Sequence, residues 1–171
     1  FYSISNCQEG LSRVTLGNFL IKRVVYEIQE ELPHIKNFGT LSPIPGFADW
    51  FSYLDEVKIK NILGNLKNKD VSFLKSKDFK LGDGRIIENK EAITKLVAHY
   101  IVNEKNQQGL PLNDVSRFHL GNGAIVEEII INANISEQGF NRAYGVMVNY
   151  LYELKNIEKN HEDYMNNNKV I

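Results

Sequence analysis

The order of elements in the first third of the chain constrains the fold more than any other feature of the sequence. Phe1–Ser5 is short, aromatic and β-branched, as strands are, and a polar loop then leads to a helix that begins near Asn18. A second strand at Asn37–Leu41 leads into the turn Ser42–Phe47, which two prolines and a glycine make stiff. A loop before a helix N-terminus can bind an anion, because free backbone N–H groups and the positive end of the helix dipole face it. This stretch is therefore the first place to look for a phosphorylated ligand.

The composition is that of an ordinary globular protein. The chain has 171 residues, of which 43% are hydrophobic and 24% are charged, which is enough for one domain with a sizeable core. A formal net charge of -1 argues against general nucleic-acid binding. No apolar run approaches the ~20 residues that span a bilayer, so no membrane partner is expected. The single cysteine, Cys7, excludes an intrachain disulfide, and the four scattered histidines form no metal-binding pattern.

Hydrophobic periodicity predicts helices and strands along the rest of the chain. The helix at Asn18–Leu32 repeats apolar residues at helical spacing and ends at Pro33, whose ring cannot continue it. Loops are predicted at Lys67–Gly84 and Pro111–Ser116, and the polar tail from Lys155 is expected to fray. The other predicted elements are helices at Asp49–Leu66, Glu91–Asn103 and Ser136–Ala143, a strand at Ile125–Ala133, and a strand at Gly145–Leu154 for which a helix is the alternative.

Two residues are candidates for chemistry. Ser42 begins the stiff turn, which suits either a catalytic hydroxyl held in one place or a serine that merely caps the turn. His119 precedes the turn Gly121–Gly123, where glycine would let a ligand approach closely, although a single histidine is more often structural. Such a pair is suited to nucleophilic or proton-transfer chemistry, but their spacing does not show that they meet. The chain has no Gly-x-Ser-x-Gly elbow, no Walker A loop and no dinucleotide-binding Gly-x-Gly-x-x-Gly motif.

Four runs of sequence together resemble malonyl-CoA decarboxylase. They are Leu16–Val25, Leu41–Phe47, Phe118–Ala124 and Gly145–Tyr150. The resemblance extends from Phe1 to about Leu154, which leaves 155–171 as a polar C-terminal tail. It implies the C-terminal part of a catalytic domain of α/β (α+β) class, with the mixed sheet and flanking helices of the GNAT-like acyl-CoA-binding fold. The first strands of that sheet and a helical N-terminal domain are then expected outside this chain, in agreement with a strand-like run that already starts at Phe1.

The resemblance implies a role for each feature. The substrate is malonyl-CoA, the products are acetyl-CoA and CO2, and neither metal nor cofactor is needed because the thioester delocalises the charge. Ser42 and His119 are the expected catalytic residues, with Tyr152 near them. The loop before the helix is expected to bind the CoA pyrophosphate through Ser12, Arg13, Val14, Thr15, Leu16, Gly17 and Asn18. One departure stands at Thr15, where members of the family carry glutamate.

Three other functions remain open from the sequence. A CoA-dependent acyltransferase would use the same CoA site with an amine acceptor, since a GNAT-like fold does not determine the chemistry. A non-catalytic acyl-CoA-binding fragment would bind without turnover. A Ser–His hydrolase would release the CoA thiol, although the nucleophile elbow is missing. The resemblance implies a cytoplasmic, mitochondrial or peroxisomal location, and any homo-oligomer is expected to form through parts outside this chain.

Overall fold

The computed structural model describes residues 16–167 and 169–171, and within them the fold is mixed α/β, as predicted. Three strands form one sheet in the order β1-β3-β2: β1 (Gly39–Pro43), β2 (Ile125–Ile130) and β3 (Met147–Leu151). The helices are α1 (Leu16–Glu31), α2 (Phe47–Tyr53), α3 (Glu56–Leu63), α4 (Arg85–Glu88), α5 (Lys90–Val102), α6 (Asp114–Gly121), α7 (Glu137–Ala143) and α8 (Ile157–Asn167). The strand predicted at Phe1–Ser5 lies outside the described residues.

The chain divides into two compact units. The first unit contains the chain up to Ser42 together with Phe118–Glu127 and Asn149–Ile171. The second unit contains Pro43–Arg117 and Glu128–Val148. Because several segments return to each unit, both depend on contacts between residues that are distant in sequence. None of the helices in 16–167 and 169–171 is both long enough and apolar enough to cross a membrane.

In the first unit, α1 confirms the helix predicted at Asn18–Leu32, with its ends moved to Leu16 and Glu31. Ile21 and Val25 lie four residues apart on one face and are 1% and 0% exposed, so this face belongs to the core. On its polar side, Lys22 donates a hydrogen bond to Glu158 of α8 over 3.0 Å. The periodicity identified the helix correctly because its apolar face is buried.

The prediction that the tail after Lys155 frays is wrong, because this segment forms α8. Ile157, Asn160 and Tyr164 are spaced three and four residues apart and are all buried, so α8 has a core-facing stripe despite its polar composition. The Asn160 side-chain amide donates a hydrogen bond to the carbonyl of Gly123 over 3.2 Å. Tertiary contacts within the first unit thus order a segment whose composition is typical of a flexible end.

Two predictions within the second unit are wrong for reasons of helix capping. The helix predicted at Asp49–Leu66 is two helices, because Asp55 begins α3 as an N-cap whose carboxylate accepts from the Lys58 amide at 2.7 Å. The loop predicted at Pro111–Ser116 already contains the start of α6. There, the Asn113 side-chain oxygen accepts from the Ser116 amide at 2.8 Å, as an N-cap does.

The stiff turn after β1 is anchored within the second unit. The carbonyl of Pro45 accepts two hydrogen bonds, from the Tyr100 hydroxyl at 3.0 Å and from the Asn113 side-chain amide at 2.9 Å. Gly46 has φ 80°, and a Cβ atom there would lie 2.7 Å from the Tyr100 hydroxyl, so both conformation and space require glycine. The turn is therefore held by side chains as well as by its prolines.

The remaining predicted elements are confirmed with small changes in their ends. They are α5, β2, α7 and β3. Ser136 caps α7, since its hydroxyl accepts from the Gly139 backbone amide at 3.0 Å. For the segment Gly145–Leu154, the strand prediction is correct and the helical alternative is wrong. The predicted loop at Lys67–Gly84 contains one short 3-10 helix, Ser72–Lys75.

Candidate active site

Strand β1 places two hydroxyl groups on its buried face. Burial alternates along the strand, so Thr40 and Ser42 are each 5% exposed while Leu41 between them is 48% exposed. The predicted strand ended at Leu41, whereas the structure extends it to Pro43. Ser42 is therefore a strand residue with a fixed inward direction, and the stiff turn begins after the strand.

The histidine is held at the end of α6, within the part of that helix that belongs to the first unit. His119 lies in the last turn, and its carbonyl accepts hydrogen bonds from the amides of Asn122 and Ala124, both at 3.1 Å. Gly123 has φ 80°, and a Cβ atom there would overlap the carbonyl of Ile157 in α8. The predicted glycine turn beside His119 is present, but Gly123 admits a neighbouring helix, not a ligand.

Four side chains of the first unit form a continuous hydrogen-bonded chain. The Ser42 Oγ atom lies 3.0 Å from His119 Nε2, and His119 Nδ1 lies 2.8 Å from the Tyr152 hydroxyl. On the other side of Ser42, the Thr40 Oγ1 atom lies 3.0 Å from Ser42 Oγ. The structure thus brings together the three residues predicted from the sequence and adds Thr40, and we call these four side chains the hydroxyl–imidazole chain.

The hydroxyl–imidazole chain is uncharged near neutral pH. Burial lowers the pKa of His119 from 6.5 to about 4, because the surroundings disfavour the imidazolium form. Burial also raises the pKa of the Tyr152 hydroxyl above its usual value of 10.0, which keeps it protonated. The Tyr150 ring stacks on the imidazole, with the ring centroids 4.5 Å apart and the planes 22° apart. The group is therefore a neutral hydrogen-bond network that can donate or pass on a proton.

Sequence reasoning missed Thr40 and Tyr150. A signal for Thr40 was present, since residues two apart in a strand lie on the same face, and Thr40 stands two before Ser42. Tyr150 similarly stands two before Tyr152, although β3 ends at Leu151. Both residues are therefore found by starting from a predicted site residue, Ser42 or Tyr152, and taking the residue two positions earlier, which lies on the same face.

The predicted CoA-binding residues lie partly outside the described part of the chain. Ser12, Arg13, Val14 and Thr15 fall there, whereas Leu16, Gly17 and Asn18 form the first turn of α1. Within 16–167 and 169–171, no three His, Cys, Asp or Glu residues are grouped so that they could hold a metal ion.

The fold and the site together describe a mixed α/β protein with a buried Ser–His–Tyr hydrogen-bonded chain. The model of the malonyl-CoA decarboxylase C-terminal domain matches residues 1–171, and the chain belongs to this family. The resemblance of the four sequence runs is thus confirmed.

Curated relatives and solved structures agree with this assignment. Mitochondrial malonyl-CoA decarboxylase of Mus musculus is 36% identical over 188 residues, which cover 99% of this chain and 38% of the relative. The mitochondrial malonyl-CoA decarboxylase of Anser anser anser is 35% identical, and the match covers 96% of this chain and 36% of the relative. The crystal structure of malonyl-CoA decarboxylase from Rhodopseudomonas palustris has a TM-score of 0.82 at 37% identity, and the match covers 99% of this chain and 39% of that structure's chain. The structure of malonyl-CoA decarboxylase from Cupriavidus metallidurans has a TM-score of 0.78 at 40% identity, and the match covers 95% of this chain and 43% of that structure's chain. The chain therefore spans about two fifths of the length of these relatives.

Proposed function

We propose that the protein decarboxylates malonyl-CoA to acetyl-CoA and CO2. The observation that carries the proposal is the 3.0 Å contact between Ser42 Oγ and His119 Nε2 in a member of this family. A hydroxyl donor beside a neutral imidazole provides the two functions that the reaction needs, which are stabilisation of an oxyanion and delivery of one proton.

Ser42 is the proposed donor to the developing oxyanion. When the carbon–carbon bond breaks, CO2 leaves and its bonding electron pair passes into the thioester, which becomes an enolate with charge on oxygen. A hydrogen bond aimed at that oxygen in a buried site is worth about 2.7–4 kcal/mol by comparison with oxyanion-hole donors. Because the thioester itself delocalises the charge, the proposed reaction uses no metal and no biotin.

His119 is the proposed proton source for the product carbon. The free site holds a neutral imidazole, since burial lowers its pKa to about 4. Binding of the anionic malonyl group beside the ring would raise that pKa, because a nearby negative charge favours the imidazolium, which takes its proton from solvent. After CO2 departs, the Nε2 proton of the imidazolium reaches the enolate carbon by way of the Ser42 hydroxyl, which lies 3.0 Å from Nε2, and the ring returns to its neutral form. Charge and protons then balance over one turnover.

The CoA phosphates are proposed to bind at the segment from Ser12 to Asn18. Helix α1 begins at Leu16 and is 16 residues long, so its first backbone N–H groups and its dipole favour an anion at this end. Arg13 would add a positive charge next to those groups. This part of the proposal predicts that Arg13→Ala weakens CoA binding while the rate of the bound complex changes little.

One assay separates the proposed function from the other readings. The natural full-length protein is incubated with malonyl-CoA while CO2, acetyl-CoA and free CoA thiol are measured, and CoA binding is measured by calorimetry. Equal release of CO2 and acetyl-CoA is expected. Binding of CoA without release of CO2 would indicate an acyl-CoA-binding module. Release of the CoA thiol would indicate a hydrolase, and turnover only in the presence of an amine acceptor would indicate an acyltransferase. Each of these results would overturn the proposal.

The location and assembly belong to the same proposal. The rodent and goose relatives are named as mitochondrial, which favours mitochondria among the cytoplasmic, mitochondrial and peroxisomal locations. A homo-oligomer, if formed, is proposed to assemble through regions outside this chain.

A further inference from the structure

We infer that Thr40 is a positioning residue. Its hydroxyl donates a hydrogen bond to Ser42 Oγ and thereby directs the hydroxyl proton of Ser42 toward the substrate. The inference rests on the proposed function for its catalytic meaning. Its structural basis is independent, because it follows from the geometry of the hydroxyl–imidazole chain in the first unit.

Counting protons limits how this chain can be arranged. The three hydroxyls and the neutral imidazole carry one exchangeable proton each, and three hydrogen bonds join them, so one proton remains unused. The unused proton cannot be that of His119, because both ring nitrogens are engaged and the protonated one must donate. It therefore belongs to Thr40, Ser42 or Tyr152.

Burial disfavours an unused proton on Tyr152. This side chain is 1% exposed, and an unpaired donor at that depth is costly. A phenol is also the stronger donor when it faces an imidazole nitrogen that can accept. In the neutral site Tyr152 therefore donates to Nδ1, which places the imidazole proton on Nε2, and Nε2 donates to Ser42 Oγ. The bond from Nε2 to Ser42 is kept when the ring becomes an imidazolium, because Nε2 stays protonated.

The choice between Thr40 and Ser42 depends on the substrate. If Thr40 donates to Ser42, both acceptor positions of Ser42 Oγ are occupied, one by Thr40 and one by His119. The Ser42 proton then has a single remaining tetrahedral direction, and a hydroxyl that accepts two hydrogen bonds is a better donor in turn. An oxyanion in that direction selects this arrangement, since it supplies the acceptor that the unused proton lacks.

The test compares three variants of the natural full-length protein with malonyl-CoA as substrate. Thr40→Val keeps the shape but removes the donor, and kcat should fall about tenfold with KM changed less than twofold, because in this arrangement Thr40 acts on the substrate only through Ser42. Thr40→Ser restores a hydroxyl and should return kcat to within about threefold of wild type. Thr94→Val is the matched control, because the Thr94 Oγ1 atom has no hydrogen-bond partner among the described residues, and it should leave kcat unchanged.

A second measurement tests, without relying on activity, the imidazole tautomer that the inference requires. In protein labelled with ¹⁵N at histidine, a long-range ¹⁵N–¹H correlation spectrum distinguishes a protonated ring nitrogen from an unprotonated one, and His119 should carry its proton on Nε2. A proton on Nδ1, or wild-type kcat in Thr40→Val, would overturn the role of Thr40. A wild-type protein that carries the Nε2 proton but releases no CO2 would instead overturn the proposed function and leave the arrangement of protons standing.

Discussion

Ser42 Oγ lies 3.0 Å from His119 Nε2 across 77 positions in the sequence. The contact depends on two separate elements, because β1 directs the serine side chain inward and the last turn of α6 carries the imidazole. Neither residue carries a charge near neutral pH, so the pair is held by a neutral hydrogen bond between side chains that are 5% and 7% exposed. Buried polar groups in contact of this kind are expensive to leave unpaired, which makes the site sensitive to the loss of either partner.

Replacing either member of this pair should abolish most of the turnover. Ser42→Ala should lower kcat for CO2 release about 10²–10³-fold, as removal of an oxyanion donor does, and His119→Gln about 10²–10⁴-fold by loss of the proton donor. CoA affinity measured by calorimetry should stay within about twofold of wild type in both. Ser52→Ala and His34→Gln change exposed residues of the same types and serve as controls. Undiminished CO2 release from both site variants would show that the chemistry lies elsewhere.

Tyr152→Phe tests the hydroxyl that faces the other nitrogen of the imidazole. The phenylalanine keeps the ring and its packing but removes the hydroxyl, whose oxygen lies 2.8 Å from His119 Nδ1. We expect kcat to fall at least tenfold and the free energy of unfolding in urea to fall by about 1 kcal/mol, since a buried hydrogen bond is lost. Tyr26→Phe, at a half-exposed tyrosine, should change neither quantity. If Tyr152→Phe behaves like Tyr26→Phe, this hydroxyl has no part in orienting the imidazole.

Stability should fall as the pH is lowered from 7.5 to 5. The pKa of His119 is about 4 in the folded state and has its ordinary value of 6.5 in the unfolded state, so between these values the unfolded state binds more protons. The free energy of unfolding therefore rises with pH in this window, and the contribution of His119 between pH 5 and 7.5 is about 2 kcal/mol. Urea titrations followed by the fluorescence of Trp50, the single tryptophan, measure this slope.

The His119→Gln variant provides the comparison for that experiment. It lacks the titrating group, so its free energy of unfolding should depend on pH less steeply than that of wild type by the same amount. The pKa values of Asp70 and Asp83 are lowered by hydrogen bonds from Ser72 and Arg85 respectively. These two carboxyl groups therefore change the pH dependence of the free energy of unfolding mainly near and below their ordinary pKa of 3.8, outside the measured window. Identical slopes in the variant and in wild type would exclude a buried, neutral His119.

Gly123→Ala should destabilise the first unit far more than an ordinary glycine substitution. A methyl group at this position would overlap the carbonyl of Ile157, and φ 80° adds the strain of a left-handed conformation. Gly82→Ala is a matched control, because its φ is 84° and no atom of the described part of the chain lies within 4 Å of the added carbon. Thermal and urea unfolding should show a loss of about 1–2 kcal/mol for Gly82→Ala and several kcal/mol for Gly123→Ala. Equal losses in the two variants would mean that α8 does not pack against this turn.

Local patterns predicted much of the secondary structure because they are set by neighbouring residues. The apolar repeat at Ile21 and Val25 marked α1, and Ser136 marked the start of α7. The same reasoning failed at Asp55, where a capping carboxylate divides one apolar pattern into two helices. It failed again in the polar tail, where α8 is ordered by its packing and by the hydrogen bond from Asn160 to Gly123, which composition does not reveal.

The sequence by itself determined most of the element types, the stiff turn, the family resemblance and the candidate residues Ser42, His119 and Tyr152. These follow from local conformational preferences and from short motifs, which are properties of adjacent residues. Only the tertiary structure decided that the three side chains meet, that Thr40 joins them, and that burial keeps the imidazole neutral. The physical reason is that hydrogen-bond geometry and desolvation arise from segments 77 residues apart in the chain, and neither is encoded in the spacing of those residues.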